Sequence, residues 1–160
     1  MQRVNKIIEN SEYISKISEI ETLEKDRIFC HHDMNHFLDV ARIATILCFE
    51  EGIDIDKESL YAAAILHDIG RGRQYTEEIE HEAAGVLIAE PILKECGFSE
   101  IETAAILEAI REHGNENVKI RKDIVGVLYR ADKLSRKCFC CNAVSKCHKP
   151  DSKKNMGVVY

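Results

Sequence analysis

Apolar residues recur along the chain at helical spacing, and few stretches show the strict alternation of a half-buried strand. Counting from residue 36, Val40, Ile43, Ala44 and Leu47 fall on one stripe, which predicts a helix over residues 33 to 50. Leu60, Ala63 and Ala64 mark a second stripe, Ala84, Leu87 and Ile88 a third, and Ile106, Ala109 and Ile110 a fourth. Ile124, Val127, Leu128 and Ala131 mark a fifth, on a helix that begins near Asp123. Ahead of these, Ile7, Ile14, Ile17, Ile20 and Leu23 predict two short helices interrupted near Ser11, which reads as an N-cap. Helical periodicity holds from Val4 to Arg136, so the predicted fold class is all-α, a compact multi-helix bundle of about five to seven helices.

The breaks between stripes follow turn chemistry. Asp54 to Lys57 form the loop after Gly52, and Asp56 or Lys57 precedes the helix that ends at His67. Arg71, Gly72, Arg73 and Gln74 read as a polar turn before the helix that starts at His81. Pro91 interrupts that helical run and predicts a kink or break, because proline has no N–H to donate. Gly97 ends the element, Ser99 caps the next one, and Gly114 to Lys119 form a polar loop. Beyond Lys149 the periodicity is lost, and KPDSKKNMGVVY reads as a mobile tail whose Val158, Val159 and Tyr160 are free to dock on a neighbour.

Polar residues of one kind stand at the inner ends of the stripes. His67-Asp68 closes the Leu60 stripe, His36 points with Val40 into the interior, and His113 follows Ile106 and Ile110. His81 opens the Ala84 stripe, and Asp132 lies one turn after Leu128. A single histidine on an apolar face is commonly a core residue bonded to a backbone carbonyl. Four histidines and two aspartates together are different, because a buried carboxylate costs several kcal/mol, in order of magnitude, unless a cation or several donors meet it. Imidazole and carboxylate ligands suit iron, manganese, cobalt or zinc, and the lack of thiolates in the set argues against a structural zinc finger.

The order His36, His67-Asp68, Asp132 resembles the HD-domain superfamily of metal-dependent phosphohydrolases. The contexts HFLDVARIA, AAAILHDIG and RADKL carry the resemblance, which covers residues 28 to 137. It implies an HD-type bundle with one metal held by His36, His67, Asp68 and Asp132. His81 and His113, in the order of the added histidines, imply the binuclear branch, similar to the bacterial family that hydrolyses diadenosine tetraphosphate symmetrically. There is no Gly-Tyr-Pro segment, and His113 is followed by Gly114 rather than a second histidine, which disfavours cyclic-di-GMP hydrolysis. The Glu-Asp pair of guanosine-tetraphosphate hydrolases is also missing, since Ile69-Gly70-Arg71-Gly72 stands there.

In the implied roles His36, His67 and Asp132 hold the first metal, His81 and His113 the second, and Asp68 links the two and orients the attacking water. Arg71 and Lys133 are the candidate cations for charge developing on phosphoryl oxygens, giving Asp68, Arg71 and Lys133 as the catalytic set. Arg136 is assigned to the solvated surface instead. His32, one turn before His36, is likewise expected to face solvent.

Composition narrows partners more than fold. A chain of 160 residues is a single domain, read as an N-terminal helical segment (1–27), the HD-type domain (28–137) and a cysteine-containing C-terminal segment (138–160). A net charge of -6 and a pI near 5.7 argue against a surface that coats nucleic acid, while leaving room for a local basic pocket. The start MQRVNKIIEN lacks the apolar core of a signal peptide, and no run approaches the roughly 18 apolar residues of a membrane span, so a cytoplasmic location is expected. No heptad pattern indicates an oligomer.

The seven cysteines form no obvious disulfide framework, their number being odd. Cys138 and Cys141 have the spacing that grips one metal, and a second, thiolate-rich site from Cys30, Cys138, Cys141 and Cys147, for zinc or an iron–sulfur cluster, stands against a set of reduced, partly buried thiols. The expected function is hydrolysis of a nucleotide phosphoester or phosphoanhydride, with diadenosine polyphosphate, nucleoside monophosphate and cyclic dinucleotide as substrates in falling order. The alternative is a non-catalytic nucleotide- or metal-binding sensor with redox-responsive cysteines. All six ligand positions are filled, which favours the enzyme.

Overall fold

In a computed structural model, which describes residues 1–160, five of the eight α-helices start at a side chain that accepts hydrogen bonds from the first free N–H groups. Asn10 caps α2 (Ser11–Leu23), Asp33 caps α3 (Met34–Glu51) and Asp56 caps α4 (Lys57–Leu66). Ser99 and Glu102 form a reciprocal capping box on α7 (Glu100–Glu112), and Asp123 caps α8 (Ile124–Leu134). The remaining helices are α1 (Gln2–Glu9), α5 (Arg71–Glu77) and α6 (His81–Glu95), with a short 3-10 helix at Glu116–Ile120 before α8 and three more after it. The all-α class is as expected.

Helix α3 packs on both α4 and α8, α7 packs on α4, α6 and α8, and α5 joins α2 to α6. Phe37, Leu66, Ile69, Ile106, Ile110 and Leu128 are fully buried where these helices meet. The polar ends of the central helices therefore face one another at one end of a dry core.

Several boundaries differ from the sequence expectations for identifiable reasons. The N-cap between α1 and α2 is Asn10, whose Oδ1 accepts from the N–H groups of Glu12 and Tyr13, so Ser11 is the first helical residue. Residues 71 to 74 are not a turn but the start of α5, which raises the helix count above the expected range. Arg73 supports that helix by pairing with Glu77 one turn on, at 2.7 Å. Pro91 does not break α6, because the carbonyl it leaves unpaired belongs to Leu87, and both Leu87 and Pro91 lie on the exposed face.

The C-terminal residues are held against the bundle. Asn155 Nδ2 donates to the carbonyls of Lys133, Leu134 and Arg136 at 2.9 to 3.1 Å, and Tyr160 Oη donates to Glu50 at 3.0 Å. The expected free tail is thus replaced by an irregular segment that caps the end of α8. No helix is long and apolar enough to cross a membrane.

Candidate metal centre

Asp68 lies just beyond the end of α4, buried, with its two oxygens directed to opposite sides. Oδ2 is 3.0 Å from His67 Nε2 and 3.7 Å from His36 Nε2. Oδ1 is 3.4 Å from His81 Nε2 and 3.5 Å from His113 Nε2. Two groups with mutual ligand-atom distances within 4.8 Å result, His36–His67–Asp68 and Asp68–His81–His113, and Asp68 belongs to both. Asp132 Oδ1 adds to the first side, 3.6 Å from His36 Nε2 and 3.9 Å from His67 Nε2. The structure thus brings together all six residues that the sequence singled out.

The helix geometry explains the convergence. His67 and His113 are the residues at which α4 and α7 end, so their Nδ1 atoms meet the carbonyls of Ala64 (2.7 Å) and Ile110 (2.6 Å) in the preceding turn. His36 Nδ1 lies 3.3 Å from Ser135 Oγ, whose own proton goes to the Asp132 carbonyl. His81 Nδ1 lies 3.0 Å from Glu82 Oε2. Each ring thereby turns its Nε2 toward Asp68, although His81 Nδ1, unlike the other three, makes no hydrogen bond.

This donor set fits divalent transition metals. His67 Nε2 is buried and makes no hydrogen bond, and His81 Nε2 stands 3.1 Å from His113 Nε2, a contact between lone pairs unless a cation or a proton lies near. Burial opposes ionisation of Asp68, but the charges of His67, Arg71 and His32 override it and hold the carboxyl well below its usual range. Asp132 is held low in the same way, chiefly by Lys133 and His67 against its burial. Burial pushes His81 down, toward the neutral ring that binds a metal, whereas at His67 burial is outweighed by the Asp68 and Asp132 carboxylates, which push the ring up.

One expectation is overturned at His32. It precedes α3 in an irregular segment, so helical spacing from His36 does not apply, and it is buried with Nε2 3.7 Å from Asp68 Oδ2. Its Nδ1 is in short contact with Glu24, a buried carboxylate at the end of α2 that also accepts from Tyr75 Oη and from the His32 N–H. Burial opposes the charge of Glu24, but these donors bring its carboxyl down to about 2. Nothing in the local pattern around Glu24 or Tyr75 signals this network, because it joins residues separated by up to 51 positions.

Arg136 is likewise not a surface residue, its guanidinium lying 3.9 Å from Asp132 and largely covered. Arg71 Nε donates to Asp68 Oδ1 at 2.8 Å, and Lys133 pairs with Asp132 while donating to the His113 carbonyl at 3.0 Å. These groups line a cavity of about 610 Å³ that also carries Arg27, Lys137, Lys149 and Lys154. Cys30, Cys138, Cys141 and Cys147 lie on its outer wall, all as free thiols and more widely spaced than the His/Asp groups.

Comparison with known proteins agrees with this geometry. The family model described as HD domain matches residues 33–137. A protein of Clostridium beijerinckii, itself described only as uncharacterized, is 40% identical over 160 residues, which is 100% of both chains. A solved structure of a predicted HD superfamily hydrolase from an uncultured Thermotogales bacterium superposes with a TM-score of 0.64 at 21% identity, over 96% of this chain and 80% of that one.

Proposed function

The chain belongs to the HD domain family, and from that premise we propose that it is a metal-dependent phosphohydrolase cleaving a phosphoester or phosphoanhydride bond of a nucleotide. The observation that carries this reading is the cavity itself. Its lining includes His36, Asp68, His81, His113 and Asp132, with His67 buried just behind them, and seven basic residues, Arg27, Arg71, Lys133, Arg136, Lys137, Lys149 and Lys154, against five carboxylates, in a chain of net charge -6. Basic residues concentrated in a concave site of an acidic protein fit a small polyanion better than a neutral metabolite.

In this reading His36, His67 and Asp132 would hold one ion and His81 and His113 a second, with Asp68 available to either. Bound there, divalent metals would lower the pKa of water toward about 7 and offset charge on phosphoryl oxygens. The protein's own groups do the rest. Arg71 fixes the Asp68 carboxylate through its Nε, and its Nη1 donates to Gln74 Oε1 at 2.8 Å, which holds the guanidinium at the cavity wall. Lys133 and Arg136, beside Asp132, attract and orient the phosphoryl group. His32, braced by Glu24 and Tyr75, is within reach of a proton exchanged near Asp68.

The paired groups support the binuclear branch, and diadenosine polyphosphate is the first substrate to test, since a long anionic bridge would engage several cations at once. The experiment is hydrolysis of a nucleotide panel by the parent and by Asp68→Ala, with metal content measured on the same samples. Loss of turnover together with lowered metal content is expected. An active, fully metallated Asp68→Ala protein would rule out the bridging role.

A further inference from the structure

The thiols on the outer wall of the cavity take no part in the chemistry above. Cys30 lies in the irregular connection between α2 and α3, while Cys138, Cys141 and Cys147 lie in the turns after α8. The two segments, far apart in sequence, meet where Phe29 and His148 pack edge to face with ring centroids 6.3 Å apart. Cys30, Cys138, Cys141 and Cys147 all line one cavity, and burial raises the Cys30 thiol, with Cys138 and Cys141 adding to the rise. Lys154, which donates to Asp151 at 3.0 Å, lines the same cavity beside Cys147. Arg136 and Lys149 stand in the same neighbourhood as cations facing Cys30.

Apart from polar contacts such as those of Asn155 and Tyr160, few apolar contacts hold the C-terminal segment. Between Arg136 and Tyr160 only Cys138 and Ala143 are buried apolar residues, and there is no α-helix. Phe139, Met156, Val158 and Val159 are exposed. Segments that cannot bury enough apolar surface are usually ordered by cross-links or metals. Cys138 and Cys141 sit on one tight turn, the Cys141 N–H donating to the Cys138 carbonyl at 3.2 Å, as in the two-residue spacing of metal knuckles.

We propose that Cys30, Cys138, Cys141 and Cys147 form a four-thiolate site for a soft metal centre that staples the C-terminal segment to the α2–α3 connection. Both segments are coil, so side-chain rotation brings the spaced sulfurs together on the metal, and each thiol releases its proton to solvent on binding. Zinc and an iron–sulfur cluster share this ligand chemistry. The site lies beside the imidazole centre, and its failure would leave the hydrolase reading untouched.

The test begins with the intact chain. Purified anaerobically, it is analysed for zinc, iron and acid-labile sulfide, then stripped with chelator and titrated with Co²⁺. The expected result is a thiolate-to-cobalt charge-transfer band in the near ultraviolet, which the imidazole and carboxylate ligands do not produce, saturating at about one equivalent beyond any bound at the imidazole centre. Zinc in the isolated protein assigns the first source, and iron with sulfide the second. Cys138→Ser/Cys141→Ser is expected to lose the band and that metal, and Cys140→Ser to retain both. No thiolate band in the intact chain, or an unchanged band in the double variant, would overturn the site. The first of these readouts requires no variant to fold.

Discussion

Gly70 and His81 meet backbone to backbone: a Cβ on Gly70 would stand 2.1 Å from the His81 carbonyl oxygen. The same atom would be 2.5 Å from the backbone nitrogen of Gly85, so neither neighbour has a flexible end that could yield. This contact sets the distance between the His67-Asp68 pair and the first turn of α6, and with it the reach from Asp68 to His81. Gly70→Ala is expected to destabilise by at least about 1–3 kcal/mol, as overpacking does. Thermal melting should show the loss, and metal analysis should show the His81–His113 side emptied before the His36 side. An unchanged melting temperature would mean that the contact is not rigid.

The sequence displayed the site where side chains and helix period coincide, and concealed it where the chain is irregular. His36, His67, His113 and Asp132 each continue an apolar stripe, so the geometry that buries Leu128 or Ile110 also aims the polar residue inward. His32 lies outside any helix, and its direction comes from Glu24, which no local pattern connects to it. Arg136 is covered rather than solvated because the segment after α8 folds back over the cavity, held by Asn155. Pro91 leaves α6 continuous because its cost depends on whether the freed carbonyl meets water, which spacing alone does not reveal.

The Glu24 network should affect turnover more than metal loading. Glu24→Gln removes the charge that fixes the His32 ring while keeping the shape of the side chain. A fall in kcat of about 10- to 100-fold, the size usual for a lost partner of this kind, is expected with nearly unchanged KM and metal content. Steady-state kinetics with metal analysis on the same preparation separates this from a general loss of fold, which would lower both.

The cations beside Asp132 should govern substrate binding. Arg136→Ala is expected to raise KM for a phosphorylated substrate about tenfold, near 1.4 kcal/mol, with the metal retained. Added salt should raise KM in the parent and do so less in the variant, because screening acts on the same attraction. Equal salt dependence in the two proteins would place Arg136 outside the binding site.

Acid stability should depend on Arg3, which joins α1 to α4 and α7 through Glu58 (2.7 Å) and Glu102 (2.7 Å). Hydrogen bonds lower both carboxyls to about 2, those from the N-terminal amine and Arg3 at Glu58, and those from the Ser99 backbone and Arg3 at Glu102. A depressed folded-state pKa gives stability that is fully present above the unfolded value of about 4.5 and is lost as the pH falls toward about 2. These groups are partly solvated, so Arg3→Ala should cost only about 1 kcal/mol at neutral pH. The gap in melting temperature between variant and parent should narrow between pH 4.5 and 2. A gap that stays constant with pH would assign the effect of Arg3 to its packing on Phe98 instead.

The most direct test of the hydrolase reading is metal content and turnover measured on one anaerobic preparation of the intact chain, with any thiolate-bound metal counted separately by its charge-transfer band. About two equivalents of transition metal beyond any held by thiolates, with hydrolysis of at least one nucleotide phosphoanhydride or phosphoester, is the expected result. Bound metal without turnover on any member of the panel, or turnover that survives complete metal removal, would contradict it.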